Sequence, residues 1–141
     1  MRSIRTAAAL GLLPAALLAS VAAACWCREL TIEGACTRDE GRYFFTGEVV
    51  SVTETDTTHH VRVRVERDER HTLGSHALLA MGDHGPGAMV DCTLPPPRVG
   101  AFVLMVTDHV VGAPTTSGPA TCPYFRILPT AAAARRDPCA P

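Results

Sequence analysis

Apolar and polar side chains are arranged along most of this chain in the short periods of β-strands. The run Tyr43-Phe44-Phe45-Thr46-Gly47-Glu48-Val49-Val50 is dense in aromatic and β-branched residues, and apolar and polar positions alternate from Val50 through Glu54, the marks of a strand. Gly47 lies inside it, and a strand glycine predicts a bulge or sharp bend of the kind a small curved barrel needs. A polar turn over Asp56, Thr57 and Thr58 leads to a second strand in which Val61, Val63 and Val65 alternate with Arg62, Arg64 and Glu66. That period of two predicts one buried and one charged face, and the pair reads as an antiparallel hairpin. After a charged turn from Arg67 to Arg70, the residues from His71 to Met81 form a weaker strand carrying Leu73, Leu78 and Leu79.

Gly82 to Gly87 reads as a loop and Ala88 to Cys92 as a short extended segment; Pro95-Pro96-Pro97 cannot continue a central strand, because proline donates no ladder hydrogen bond. Gly100 to Val106 is the most apolar run outside the amino terminus and predicts a central strand. Gly112 to Ala120 predicts an exposed loop, Thr121 to Leu128 a strand carrying Cys122, and Ala131 to Arg136 a last helical turn. Near the other end, Cys25 to Arg28 reads as extended and Glu29 to Thr37 as a turn or short helix weakened by Gly34. Five or six short strands with Gly- and Pro-rich connections predict a mainly β domain, a small barrel or sandwich.

The amino terminus follows another pattern. Arg2 and Arg5 precede an apolar run from Ala7 to Leu18, and Ala22-x-Ala24 supplies the small residues of a signal-peptidase site, so residues 1–24 read as a cleaved secretory signal. The run is Ala-rich, broken by Gly11 and Pro14, and at the short limit for roughly 30 Å of hydrocarbon, so no stable membrane span is expected. Residues 25–141 then form one domain, the size that 141 residues suggest. Lipid attachment at Cys25 fits less well, since Ala22 stands where a larger aliphatic residue is preferred and an acylated cysteine would leave an odd number of thiols. A secreted, extracellular protein is expected over a periplasmic or lipid-anchored one.

All six cysteines, Cys25, Cys27, Cys36, Cys92, Cys122 and Cys139, follow the signal, an even number in an exported chain that predicts three disulfides. Counting leaves fifteen pairings open. Cys25 and Cys27 are two apart, so in an extended chain both side chains leave one face, and distant partners would pin the terminus to the body. The thirteen basic residues, less Arg2 and Arg5, leave eleven against fourteen acidic ones, which excludes a basic stripe for nucleic acid. No C-x-x-C, H-E-x-x-H or G-x-S-x-G occurs. The histidines, His59, His60, His71, His76, His84 and His109, are scattered. A catalytic centre is therefore not expected, and neither is a cofactor of the chain's own.

Cys25-Trp26-Cys27, the third cysteine at Cys36, the strand opening Phe45-Thr46-Gly47-Glu48-Val49-Val50, then Cys92, Val99-Gly100-Ala101-Phe102-Val103-Leu104 and Cys122 together resemble the netrin-like (NTR) module. The resemblance is nearest to the inhibitory domain of the tissue inhibitors of metalloproteinases (TIMP-like) and their small bacterial relatives, and it covers nearly all of residues 25–141. It implies a five-stranded OB-fold-like barrel, the oligonucleotide/oligosaccharide-binding type, with short flanking helical segments and three disulfides, Cys25–Cys92, Cys27–Cys122 and Cys36–Cys139.

It also implies a function, metalloprotease inhibition. The new terminal residue, Cys25, would chelate a partner protease's zinc through its backbone amine and carbonyl oxygen. Trp26 would enter the protease's specificity pocket, Cys27 and Arg28 would follow along the contact, and Met89, Val90, Asp91 and Thr93 would form a second ridge beside it. The partner implied is a zinc metalloprotease, with the inhibitor a monomer. The alternative is an extracellular or envelope binding or structural module that keeps the netrin-like fold without inhibiting anything.

Overall fold

A computed structural model describes residues 27–55, 58–82, 95–114 and 121–141. In chain order the elements are β1 (Arg28–Glu29), α1 (Ile32–Thr37), β2 (Tyr43–Thr55), β3 (Thr58–Asp68), β4 (His76–Gly82), β5 (Phe102–Thr107), β6 (Thr121–Cys122), β7 (Tyr124–Leu128) and α2 (Ala131–Arg135). The protein is mainly β. Five strands form one antiparallel sheet in the order β4-β3-β2-β5-β7, and β1 pairs with β6 in a separate parallel ladder. Three consecutive strands with a fourth returning beside the first make a Greek key.

Both faces of the sheet are buried around β2 and β5, which explains why their apolar runs are continuous where β3 alternates. On one face Tyr43, Phe45 and Val49 pack with Val61, Val63, Leu79, Val103 and Met105. On the other, Phe44, Leu104 and Val106 pack with Leu30, Ala35, Leu128 and Ala134, so that α1 and α2 cover this side. Helices this short do not hold alone. Each is capped by a threonine: Gly34 N donates to Thr31 Oγ1 at 2.9 Å and Ala133 N to Thr130 Oγ1 at 3.1 Å. Thr46, buried in the sheet, donates its hydroxyl to the carbonyl of Ala134. Gly34, expected to weaken α1, leaves room for a neighbour, since a Cβ there would stand 2.1 Å from Glu40 Oε2.

Two bulges bend the β2–β3 hairpin. Thr46 opposes Arg67 while Gly47 opposes Val65, so Glu66 is the extra residue, and the bulge expected at Gly47 is present. Val49 opposes Val63 while Ser51 opposes Arg62, so Val50 is extra. This second bulge breaks the alternation from Val50 to Glu54: Val52 packs on the core and Val50 does not.

β4 begins at His76 rather than at His71, where the sequence pattern places its start. Asp68 is the reason: its Oδ1 accepts from Arg70 N at 3.0 Å and its Oδ2 from Thr72 N and Leu73 N, both at 2.7 Å, which closes a turn with His71 at φ 54°. Arg67, near the end of β3, is hydrogen-bonded to Glu69 in that turn, which raises its pKa above the ordinary arginine value.

Of the small closed barrel or sandwich expected from the strand pattern, the closed barrel is not formed by the described residues, whose sheet is open between β4 and β7. The segment after β5 lies against β4 instead: Val111 N donates to Leu78 O at 2.7 Å, and Val110 is buried in the first cluster. Pro123 divides the strand expected from Thr121 to Leu128. It has no N–H to give a ladder, and the two halves pair with different partners, β6 with β1 and β7 with β5. Among the described residues no helix is long and apolar enough to cross a membrane.

Candidate functional site

The segment that opens at Cys27 is held to the body at four levels. A disulfide joins Cys27 to Cys122, with 5.4 Å between Cα atoms. The backbone then runs parallel to β6, Arg28 opposite Thr121 and Glu29 opposite Cys122, and Leu30 N donates to Cys122 O at 3.0 Å. Leu30 is buried among Phe44, Leu104 and Val106. Outside, Arg28 pairs with Glu40 at 3.1 Å. The partner strand is fixed in turn by Asp108, whose Oδ2 accepts from Thr121 Oγ1 at 2.7 Å and whose Oδ1 accepts from Arg42 N at 2.8 Å.

A second disulfide, Cys36–Cys139, ties α1 to the carboxy-terminal segment. These two bridges are the pairings that the resemblance implies for those four cysteines. They close loops of 95 and 103 residues, and in the chain-entropy view loops of that size each restrict the unfolded state by about 4.7 kcal/mol. Covalent, backbone and apolar restraints thus coincide within residues 27–30.

Of the residues expected to contact a protease, the structure places Cys27, half-buried, and Arg28, exposed. Cys25, Trp26, Met89, Val90, Asp91, Cys92 and Thr93 lie outside the described residues, and with them the Cys25–Cys92 bridge. Among the described residues no group of three or more His, Cys, Asp or Glu side chains could hold a metal ion. What the described part of this site contributes is position.

Sequence reading misses two features. One is the β1–β6 ladder, whose signal is Pro123 following Cys122. The other is a depression on the outer face of β2, β3 and β4, where His60, Arg62 and His76 meet Ser51 and Thr53. Alternation along β3 marks Arg62 as outward, but only the strand register brings His76 beside it. Compared with family models, with curated proteins and with solved structures, the chain matches none of them.

Proposed function

We propose that this chain is a secreted, monomeric netrin-like domain that inhibits a zinc metalloprotease with its amino terminus and carries no enzymatic activity or cofactor of its own. The observation that carries the reading is the anchoring of residues 27–30 by the Cys27–Cys122 bridge, the β1–β6 ladder and buried Leu30. Signal cleavage before Cys25 would leave a two-residue wedge, Cys25-Trp26, projecting from that anchor. Anchoring of the residues that directly follow lowers the freedom such a wedge would lose on docking, which favours affinity.

The chemistry is suited to the task. An α-amine with an ordinary pKa of about 7.7–8.0 is partly deprotonated near neutral pH and can donate its lone pair, and a catalytic zinc keeps an open position for such a ligand. Cys25 would supply amine and carbonyl oxygen to the partner's zinc, Trp26 would fill the specificity pocket, and Met89 to Thr93, joined to the terminus by Cys25–Cys92, would lie alongside. The Greek-key strand order, the bulge at Gly47 and the two disulfide pairings support an OB-type fold for this module, a class of five-stranded, partly open Greek-key barrels.

The test compares the form beginning at Cys25 with one carrying a single additional Ala before it, each titrated against a panel of zinc endopeptidases. The native form is expected to inhibit at least one, and the extended form to be weaker by roughly 100-fold, equivalent to about 2.7 kcal/mol of binding. Equal potency would remove the terminal amine from the mechanism. Inhibition by neither form would leave the netrin-like module a binding or structural one.

A further inference from the structure

We infer that the outer face of β2, β3 and β4 carries a binding site for a tetrahedral oxyanion, a sulfate or phosphate group, centred on Arg62. The site shares no residue with the amino-terminal anchor.

Strand register builds it. Three cross-strand rows lie on this face: Glu48, Arg64 and His76; Ser51, Arg62 and Leu78; Thr53, His60 and Ala80. The second bulge sets the last two rows. With Val50 as the extra residue, Ser51 and Thr53 are the β2 residues that oppose Arg62 and His60, and Val52, opposite Val61, packs on the core. Bulges of this kind re-aim side chains and recur beside functional sites. Together Val50, Ser51, Thr53, His60, Arg62, His76 and Leu78 line one depression, and none of them is acidic.

The charges of Arg62 and Arg64, both outward on β3, are treated differently. Arg64 is paired with Glu48 and lies 3.7 Å from Glu66. Arg62 has no carboxylate partner among the described residues and keeps its donors for a ligand. Around it stand two hydroxyls and two imidazoles, from three strands. Ser75 Oγ lies 3.0 Å from His76 Nδ1, which leaves Nε2 of that ring for a ligand.

A planar guanidinium that lines one depression with hydroxyls and imidazoles suits an anion with several acceptor oxygens, and charge-assisted hydrogen bonds of this type are the stronger ones. The site is a single cation in a chain with more acidic than basic side chains, so it fits one charged group rather than a long polyanion. Its shallowness and exposure imply millimolar affinity for the isolated ion.

Amide and side-chain NMR shifts of the full exported protein, followed during titration with sodium sulfate and sodium phosphate at constant ionic strength, test the site. Saturable shifts are expected over residues 50–53, 60–62 and 76–78, and Arg62→Ala should weaken them at least tenfold while Arg126→Ala leaves them unchanged. Glucose 6-sulfate and glucose 6-phosphate, run in parallel, identify the source of the group by which ester binds more tightly than its inorganic ion. Non-saturable shifts, saturable shifts elsewhere, an unaltered titration in Arg62→Ala, or acetate binding as well as sulfate would each overturn the assignment.

Discussion

Gly47→Ala is expected to destabilise the domain by about 3 kcal/mol or more, at the upper end of what overpacking costs. A Cβ at this position would lie 2.3 Å from the carbonyl oxygen of Arg64 and 2.6 Å from Val63 Cγ1. The first of these is backbone of the paired strand and cannot rotate away. Relief would require β2 and β3 to separate at the bulge, where Val63 and Val49 are fully buried in the core. Gly74→Ala is the control: a Cβ there meets nothing within 4 Å, so the change should be neutral or slightly stabilising through the unfolded chain. Urea denaturation followed by circular dichroism reads both. A Gly47→Ala midpoint no lower than that of Gly74→Ala would mean that the close strand approach is not a constraint.

The second large effect is expected at Arg70, in the β3–β4 turn, whose side chain is 18% exposed. Its Nε donates to Gly41 O at 3.3 Å, Nη2 to Ala35 O at 2.9 Å and to Glu40 O at 3.1 Å, and Nη1 to Asp39 Oδ1 at 2.9 Å. The guanidinium also lies over the Phe44 ring, 5.6 Å from its centroid. One side chain thereby holds α1 and the loop after it against the sheet, on the face that buries Leu30. Hydrogen bonds to a charged donor contribute about 1.5–3 kcal/mol each and are not additive when they share one group. Arg70→Ala should cost about 3–5 kcal/mol and speed amide exchange from Ala35 to Arg42. Arg70→Lys should recover only part of it, because a single ammonium lacks the planar fork. A loss under about 1 kcal/mol in Arg70→Ala would show that the disulfide Cys36–Cys139 and apolar packing hold α1 without it.

These two residues mark the limits of what the sequence discloses. Gly47 announces itself, because glycine inside an aromatic and β-branched strand has few other reasons to be there. Arg70 does not: a charged residue in a charged turn reads as solvated, and its acceptors, three backbone carbonyls and the Asp39 carboxylate, lie some thirty residues away. The strands β2, β3 and β5 are legible from their side-chain types and β3 from its period. The start of β4 is less so, because one carboxylate, Asp68, holds three amides of the turn. Open edges escape sequence reading for a similar reason: whether β4 meets β7 depends on where Val110 and Val111 settle, and local pattern does not encode it.

The candidate site is legible to a different extent. Cys25-Trp26-Cys27 is conspicuous beside a signal-peptidase motif, whereas the parallel pairing of Arg28 and Glu29 with Thr121 and Cys122 depends on contacts across more than ninety residues. The oxyanion depression shows the same limit. Arg62 and His60 are outward by period, but His76 joins them through the β3–β4 register and Ser51 through a bulge that the valines around it conceal.

Intact mass and non-reducing peptide mapping of the protein purified from its source test most directly the account's central claim, that the amino terminus is an anchored wedge with an unblocked amine. The result expected is a chain beginning at Cys25 with three disulfides, Cys25–Cys92, Cys27–Cys122 and Cys36–Cys139. Retention of residues 1–24, an acylated Cys25, or Cys25 joined to any partner other than Cys92 would contradict it.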